Sequence, residues 1–184
     1  MNTKPFTIEQ HKHRHAAWAA STAARASKLC RFSVEKGIAI LDACGFDSRF
    51  ASPDQLPADV NIDKTHRKWR ETAVAAACDI GVEGFTHGVA AKLINCYLNT
   101  RFVCGGHHEH KRVMCLHPPI DDLVLKALAD KDFGGQAKQW RILRSKRWSK
   151  FDSDTYQDVI DLLRHSLPAG EPLWKIEEYW QGHQ

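Results

Sequence analysis

The sequence lacks several features that would each define a class of protein. None of its apolar runs approaches the length that a membrane-spanning helix needs. The first fifteen residues, MNTKPFTIEQHKHRH, contain neither the apolar segment nor the cleavage pattern of a secretion signal. We find no alternating strand pattern and no internal repeat. These absences argue against membrane and repeat proteins, and they predict an all-α protein of the cytoplasm.

The chain also has little charge imbalance and no cysteine pattern typical of a disulfide framework. Its 184 residues carry a formal net charge of +4, which permits nucleic-acid binding without requiring it. The 6 cysteines are spread along the chain, so we expect reduced thiols. This length and composition predict one compact domain over residues 1–184, with a functional core at about 64–129 and basic and C-terminal helices at 136–184.

Two predicted helices meet at a glycine-rich turn near the middle of the chain. The helical patterns cover about residues 64–80 and 89–102. Backbone N–H groups at Gly84 and Gly88, in and just after the turn, can bind a DNA phosphate with help from the positive end of the second helix. An ordinary helical hairpin without a ligand has the same pattern.

The second of these helices is apolar apart from one polar stripe. Lys92, Asn95 and Asn99 follow the helical spacing i, i+3 and i+7, so we expect Asn95 and Asn99 to line a substrate pocket beside Lys92. Burial disfavours an ammonium ion, which predicts a lowered pKa and a nucleophilic amine for Lys92. Asp121 begins a further predicted helix, where the dipole favours its carboxylate and lets it stabilise positive charge on a sugar. Alternatively, Lys92 extends to solvent and Asp121 only caps its helix.

These residues resemble a known family. The order of helix, glycine turn, helix with a lysine near its start, and aspartate at the start of another helix is similar to the core of the helix-hairpin-helix DNA glycosylases, especially the 8-oxoguanine glycosylases with lyase activity. Gly88-Val89-Ala90-Ala91-Lys92 matches the segment of the nucleophilic lysine, and Pro119-Ile120-Asp121 matches that of the assisting aspartate. The resemblance covers about residues 64–129 and departs at Phe85-Thr86-His87-Gly88, where the family has L-P-G-x-G. The flanks resemble uncharacterised bacterial proteins.

The resemblance implies a DNA-repair enzyme with DNA as its partner. An oxidised purine would be flipped out of the duplex, Lys92 would attack C1′ of its sugar, and a Schiff base would form before elimination cuts the strand. Such lysine chemistry requires no cofactor. The other hypothesis is a non-catalytic helical module that keeps the hairpin and binds nucleic acid or an acidic protein through a basic face. The sequence predicts no oligomeric state.

The most basic stretch of the chain is residues 138–150, KQWRILRSKRWSK. The residues expected to hold DNA phosphates are Lys138, Arg141, Arg144, Lys146 and Arg147. Trp140 and Trp148 lie among them and are expected to stack on bases of the substrate. A solvated helix face above two core tryptophans would have the same composition.

A loop rich in histidine and cysteine separates Lys92 from Asp121. Cys104, His107, Cys115 and His117 are zinc-ligand types and could form a four-ligand site. Their spacing fits no standard zinc motif, and a polar loop without metal is the alternative.

Overall fold

The computed structural model describes residues 5–25 and 30–182, and these residues form helices without a strand. The predicted all-α class is therefore confirmed. Residues 1–4, 26–29 and 183–184 of the predicted domain lie outside the described residues. No described helix is both long and apolar enough to cross a bilayer. The α-helices are α1 (Ile8–Ala24), α2 (Val34–Ala43), α3 (Ile62–Asp79), α4 (His87–Leu98), α5 (Lys111–Met114), α6 (Asp122–Asp130), α7 (Ala137–Ser145) and α8 (Ser153–Ser166).

Shorter helical segments connect these helices. A π-helical stretch, Asn99–His107, continues directly from α4. The 3-10 turns are Pro53–Gln55, Asp59–Asn61, Phe133–Gly135, Trp148–Lys150 and Leu173–Tyr179. The last of these is a 3-10 turn at the end of the region 136–184, where the sequence predicts helices. We call residues 173–180 the C-terminal segment.

Helix α4 lies at the centre of the fold. Thr86 caps it by accepting a hydrogen bond from the Val89 N–H at 3.3 Å. Leu93 and Ile94 belong to an apolar cluster with α1, α2 and α3, whereas Ala91 belongs to a second cluster with α6, α7 and α8. Because apolar side chains cover most of its circumference, α4 is buried between the two clusters, as expected for a helix that is apolar nearly all round.

The predicted helical hairpin is present as α3, a turn and α4. Gly81 and Gly84 have φ values of +66° and +69°, a conformation that side chains with a Cβ rarely adopt, and the chain reverses there. Glycine thus allows the tight connection that places α4 against α3.

Gly88 serves a different purpose from the turn glycines. Its N–H donates to the carbonyl of Phe151 at 3.1 Å, and a Cβ at this position would lie 1.8 Å from the Trp148 carbonyl oxygen. The missing side chain therefore lets the Trp148–Lys150 turn contact the start of α4. Since its N–H is already used, Gly88 does not offer it to a DNA phosphate, which corrects the prediction for this residue.

Gly88→Ala should lower the free energy of unfolding by about 2–3 kcal/mol, because the new methyl group meets a backbone carbonyl. Gly105→Ala is the matched control, since a Cβ there lies 3.9 Å from its nearest neighbours, and its effect should stay within about 0.5 kcal/mol. Urea denaturation of both variants measures the difference. Equal stability of Gly88→Ala and the natural protein would contradict the packing role.

Candidate functional site

The structure brings Lys92 and Asp121 together, although 29 residues separate them in the sequence. The Lys92 Nζ atom lies 2.9 Å from Asp121 Oδ2. The side chain of Lys92 is only 6% exposed and that of Asp121 is 16% exposed. A buried ammonium ion needs such a partner, so the pair links α4 to the start of α6.

Three donors hold the Asp121 carboxylate. Oδ2 accepts hydrogen bonds from Lys92 and from the indole N–H of Trp180, the latter at 3.0 Å. Oδ1 accepts from the Val124 N–H at 3.0 Å and caps α6. The sequence analysis offered two alternative roles for Asp121, as the partner of Lys92 or as a helix cap. In the structure Asp121 has both contacts.

The protonation of Lys92 differs from the prediction. Burial does lower the pKa of the Lys92 amine, but the acidic groups of Cys96, Asp121 and Glu177 raise it by more, and the net result is a raised pKa. The prediction of a lowered pKa considered burial and left out the negative partners. In this state Lys92 is an ammonium ion and must lose a proton before it can act as a nucleophile.

The C-terminal segment adds two residues that the sequence analysis missed. Trp180 contacts Asp121 as described, and Glu177 Oε1 accepts a hydrogen bond from Asn99 Nδ2 at 3.3 Å. Burial raises the pKa of Glu177 to about 7, with Asp121 acting in the same direction and Lys92 against it. The signal in the sequence is an acidic residue between apolar ones, since Glu177 directly follows Ile176 and precedes Trp180 by three residues.

Asn99 and Asn95 occupy different environments. Asn99 is half-buried and donates to Glu177, and its place in a substrate pocket stays a prediction. Asn95 is fully buried, and its amide donates to the Pro118 carbonyl and the Tyr156 hydroxyl, both at 2.8 Å. Its Oδ1 also lies 2.7 Å from a ring nitrogen of His66. Asn95 therefore does not line a substrate pocket, because helical rotation turns it towards α3 and α8.

The groups around Asn95 form a buried polar network. His117 contacts the Tyr156 hydroxyl at 3.1 Å and the Asp63 carboxylate at 2.8 Å, and Arg164 binds the same carboxylate at 2.6 and 2.7 Å. Burial lowers the pKa of His66 and of His117. This network connects α3, α4 and α8, and it uses both ring nitrogens of His117, which is one of the predicted zinc ligands.

The predicted zinc ligands do not converge. Cys104 donates to Asn99 Oδ1 at 3.4 Å, Cys115 donates to the Lys111 carbonyl at 3.1 Å, and His107 packs its ring near Phe102. Over residues 5–25 and 30–182, no three histidine, cysteine, aspartate or glutamate side chains are placed to share a metal ion. Zinc binding stays a prediction without support from this geometry.

The basic stretch separates into two faces. Lys138, Arg141, Lys146 and Arg147 are exposed, and Arg144 is half-buried. Arg141, Arg144 and Arg147 line a shallow cavity of about 290 Å³, in which Arg144 pairs with Asp122 at 2.8 Å. Arg141 and Arg147 are thus exposed at this cavity, whereas Arg144 is held by Asp122.

The two tryptophans of this stretch differ in burial. Trp140 is fully buried and donates to the Phe133 carbonyl at 2.9 Å, while Trp148 packs against both apolar clusters. The prediction that they stack on substrate bases is wrong for Trp140, since the helical spacing that exposes Arg141 turns Trp140 inward. Trp148 is only half-buried, and its stacking on a base stays a prediction.

Four cavities of the described structure lie away from the lysine. They measure about 270–480 Å³, and neither Lys92 nor Asp121 lines any of the four. The largest lies beside the exposed Gly84 of the hairpin turn, and Glu83 also lines it. A carboxylate at this position disfavours a DNA phosphate, so the turn is a poor phosphate site.

The comparisons with known proteins leave the family open. No protein-family model matches the chain, and the searches of curated proteins and of solved structures gave no match. The function therefore has to be argued from the residues themselves.

Asp121→Asn should lower the free energy of unfolding by about 3 kcal/mol, because it leaves the Lys92 ammonium ion buried without its nearest anion. Asparagine keeps the helix cap, so the loss reports the charge. Asp122→Asn is the matched control: its pair with Arg144 is exposed, and the loss should stay below about 1 kcal/mol. Equal losses in chemical denaturation would contradict a stabilising buried pair.

Proposed function

We propose that the protein is a DNA glycosylase with lyase activity that acts on a damaged, oxidised purine through Lys92. The observation that carries the proposal is the buried contact of 2.9 Å between Lys92, on the second helix of the hairpin, and Asp121. A buried amine beside a fixed carboxylate is the arrangement that attack on an anomeric carbon needs.

The chemistry divides between the two residues. Once deprotonated, the Lys92 amine attacks C1′ of the damaged nucleotide, a C1′–nitrogen bond to Lys92 forms, and the bond to the base breaks. The developing positive charge on the sugar is stabilised by the Asp121 carboxylate. Opening of the sugar gives a protonated Schiff base, which withdraws electrons and allows elimination of the 3′ phosphate.

Access to Lys92 requires a side-chain movement. The indole of Trp180 covers Asp121 Oδ2, and Trp180 itself is partly exposed near the end of the described chain. Rotation of this indole would open a route to the amine without moving α4 or α6. An extruded nucleotide would then take the place of the indole beside Asp121.

The arginine cavity supplies the place for the DNA backbone. Asp122, which anchors Arg144, is the residue directly after Asp121. The cavity therefore lies at the same end of α6 as the Lys92 pair. Arg141 and Arg147 beside it are exposed, and arginine donors bind phosphate oxygens strongly.

The test is trapping of a covalent complex with cyanoborohydride, using duplexes that contain an abasic site or an oxidised purine. The natural protein should form a complex that denaturing electrophoresis detects. Lys92→Arg should form none, because arginine keeps a positive charge beside Asp121 but cannot form the Schiff base. Lys126→Arg is the control, since Lys126 is exposed and pairs with Asp130. Equal trapping by Lys92→Arg would remove the proposed role.

A second candidate function is a non-catalytic module that binds nucleic acid or an acidic protein. The observation that favours it is the low accessibility of Lys92, which is largely buried and paired with Asp121. The cavity lined by the arginines, in contrast, is open to solvent. In this case the ion pair is structural and the exposed arginines carry the function.

Arg141→Gln and Arg147→Gln should each reduce the slope of log affinity against log salt by about 1 for duplex DNA, because each removes one phosphate contact. Arg49→Gln is the control, since Arg49 is exposed and lies outside the cavity. Fluorescence anisotropy at several salt concentrations measures the slopes. A slope that is the same in all four proteins would exclude the cavity as the phosphate site for either function.

A further inference from the structure

We propose that the buried polar network around Asn95 is a positioning device for Asp121. It holds residues 117–120 against α4, and this hold keeps the Asp121 carboxylate beside Lys92 as long as His66 and His117 are neutral. The effect on Schiff-base formation rests on the proposed function, whereas the positioning itself does not. We call this group of side chains the Asn95 network, and its members are Asp63, His66, Asn95, His117, Tyr156 and Arg164.

Residues 117–120 lead directly into Asp121 and are held mainly by side chains. All of them are buried, and they belong to no helix. Pro118 and Pro119 have no backbone N–H, so two consecutive residues of this stretch cannot donate to a helix or a turn. The Pro118 carbonyl accepts a hydrogen bond from the Asn95 side-chain amide at 2.8 Å. The position of the stretch therefore depends on the groups packed around it.

Helix α4 holds this part of the chain at two points. Lys92 binds the Asp121 carboxylate at 2.9 Å, and Asn95, about one helical turn further on, binds Pro118. The rings of the two prolines fix their φ angles, so a hold on the Pro118 carbonyl restricts where Asp121 can lie. Without the Asn95 network, the carboxylate would depend on its own hydrogen bonds alone.

The positions of the protons around Asn95 follow from its partners. A carbonyl can only accept, so the Asn95 amide nitrogen faces Pro118, and it also donates to the Tyr156 hydroxyl at 2.8 Å. Asn95 Oδ1 must then accept, and the His66 Nε2 atom at 2.7 Å carries the proton. The other ring nitrogen of His66 is buried and has no partner in the described contacts. This arrangement requires a neutral His66.

His117 is neutral by the same argument. Its Nε2 atom lies 2.8 Å from the Asp63 carboxylate, which accepts, so Nε2 donates. Its Nδ1 atom lies 3.1 Å from the Tyr156 hydroxyl, which already accepts from Asn95 and can donate its own proton to Nδ1. A proton on Nδ1 would leave the hydroxyl proton without an acceptor in the described contacts.

The charges around the two histidines oppose their protonation. Their rings lie 4.3 Å apart, centre to centre. The guanidinium group of Arg164 lies 3.4 Å from His117 Nε2, and that of Arg70 lies 4.3 Å from the centre of the neighbouring tyrosine ring. Asp63 is the carboxylate bound to this cluster, and Arg164 already pairs with it. Burial is the main cause that lowers the pKa of both histidines, with the arginines acting in the same direction and Asp63 against it.

Acid should therefore release Asp121. A histidine in the held state stays neutral, whereas one in the released state takes up a proton below its ordinary pKa of about 6.5. As the pH falls below about 6.5, the released state binds more protons than the held state. Each of the two histidines then weakens the hold by up to about tenfold per pH unit. Above this range both states are neutral, and the hold is complete.

The first test compares two matched tyrosines by the rate at which the Lys92 ammonium group exchanges with water at pH 7. Tyr156 and Tyr97 are both fully buried, and their hydroxyls contact histidines at 3.1 and 3.0 Å, but Tyr97 contacts His13 instead of the Asn95 network. Tyr156→Phe should raise the exchange rate about tenfold, because it removes a buried hydrogen-bonded group from the hold. Tyr97→Phe should leave it within twofold. Equal rates in the two variants, or no change in Tyr156→Phe, would overturn the proposal.

The second test follows the same exchange from pH 6.5 to 5, relative to the exposed Lys126, which corrects for the ordinary pH dependence. In the natural protein the protection of Lys92 should fall with the pH. His66→Gln should show about half the slope on a logarithmic scale, since its amide still donates to Asn95 but takes up no proton. His15→Gln changes an exposed histidine and should behave like the natural protein. Protection that does not change with pH, or the same slope in His66→Gln, would overturn the proposal.

The effect on the reaction has a separate readout. Single-turnover trapping with an abasic duplex at pH 7 should be about tenfold slower in Tyr156→Phe than in the natural protein, and within twofold in Tyr97→Phe. Duplex affinity should be equal in all three proteins, since neither tyrosine lines the arginine cavity. Trapping that is equally slow in both variants would overturn the link to the reaction. A natural protein that traps no duplex would count against the glycosylase alone, and the exchange rates still decide the positioning.

Discussion

A buried ion pair fixes the centre of this fold. Lys92 lies on the most buried helix, and its charge is tolerated there because Asp121 lies 2.9 Å away. Asp121 can reach the amine only because it caps α6, so the start of that helix is held against α4. The C-terminal segment then completes the site through Trp180. One electrostatic requirement thus determines where three separate parts of the chain meet.

The same ion pair also determines the protonation state of Lys92. A carboxylate that makes a buried lysine tolerable also keeps it protonated, and a protonated amine cannot attack carbon. A lysine enzyme built on this pair therefore needs a second acidic group whose charge is not required by the fold. His66 and His117 do not meet that need in the described contacts, because His66 lies against Asn95 and His117 against Tyr156 and Asp63. The position of a proton acceptor decides whether the buried pair is only structural.

Much of the fold could be predicted from local patterns, and parts of the site could not. The apolar periodicity around Lys92 and the helix start at Asp121 are properties of neighbouring residues, and both were visible in the sequence. Asn95 and Trp140 were assigned wrongly, because their partners Tyr156 and Phe133 belong to other elements. The predicted direction of the Lys92 pKa shift was wrong for the same reason. A helical pattern shows that a lysine is buried, but it does not show which acidic residues of other elements lie near it. Long-range contacts decide which polar residues serve the site and which serve the core.

The most direct test of this account is the hydrogen exchange of the Lys92 ammonium group, observed by nitrogen-15 NMR of the side-chain amines at pH 7. A buried, charged Lys92 bound to Asp121 predicts an ammonium signal that exchanges slowly with water, while those of exposed lysines such as Lys126 are lost to fast exchange. The signal should disappear in Asp121→Asn. A Lys92 signal that exchanges as fast as the exposed amines, or one that is unchanged in Asp121→Asn, would contradict the central role of the pair.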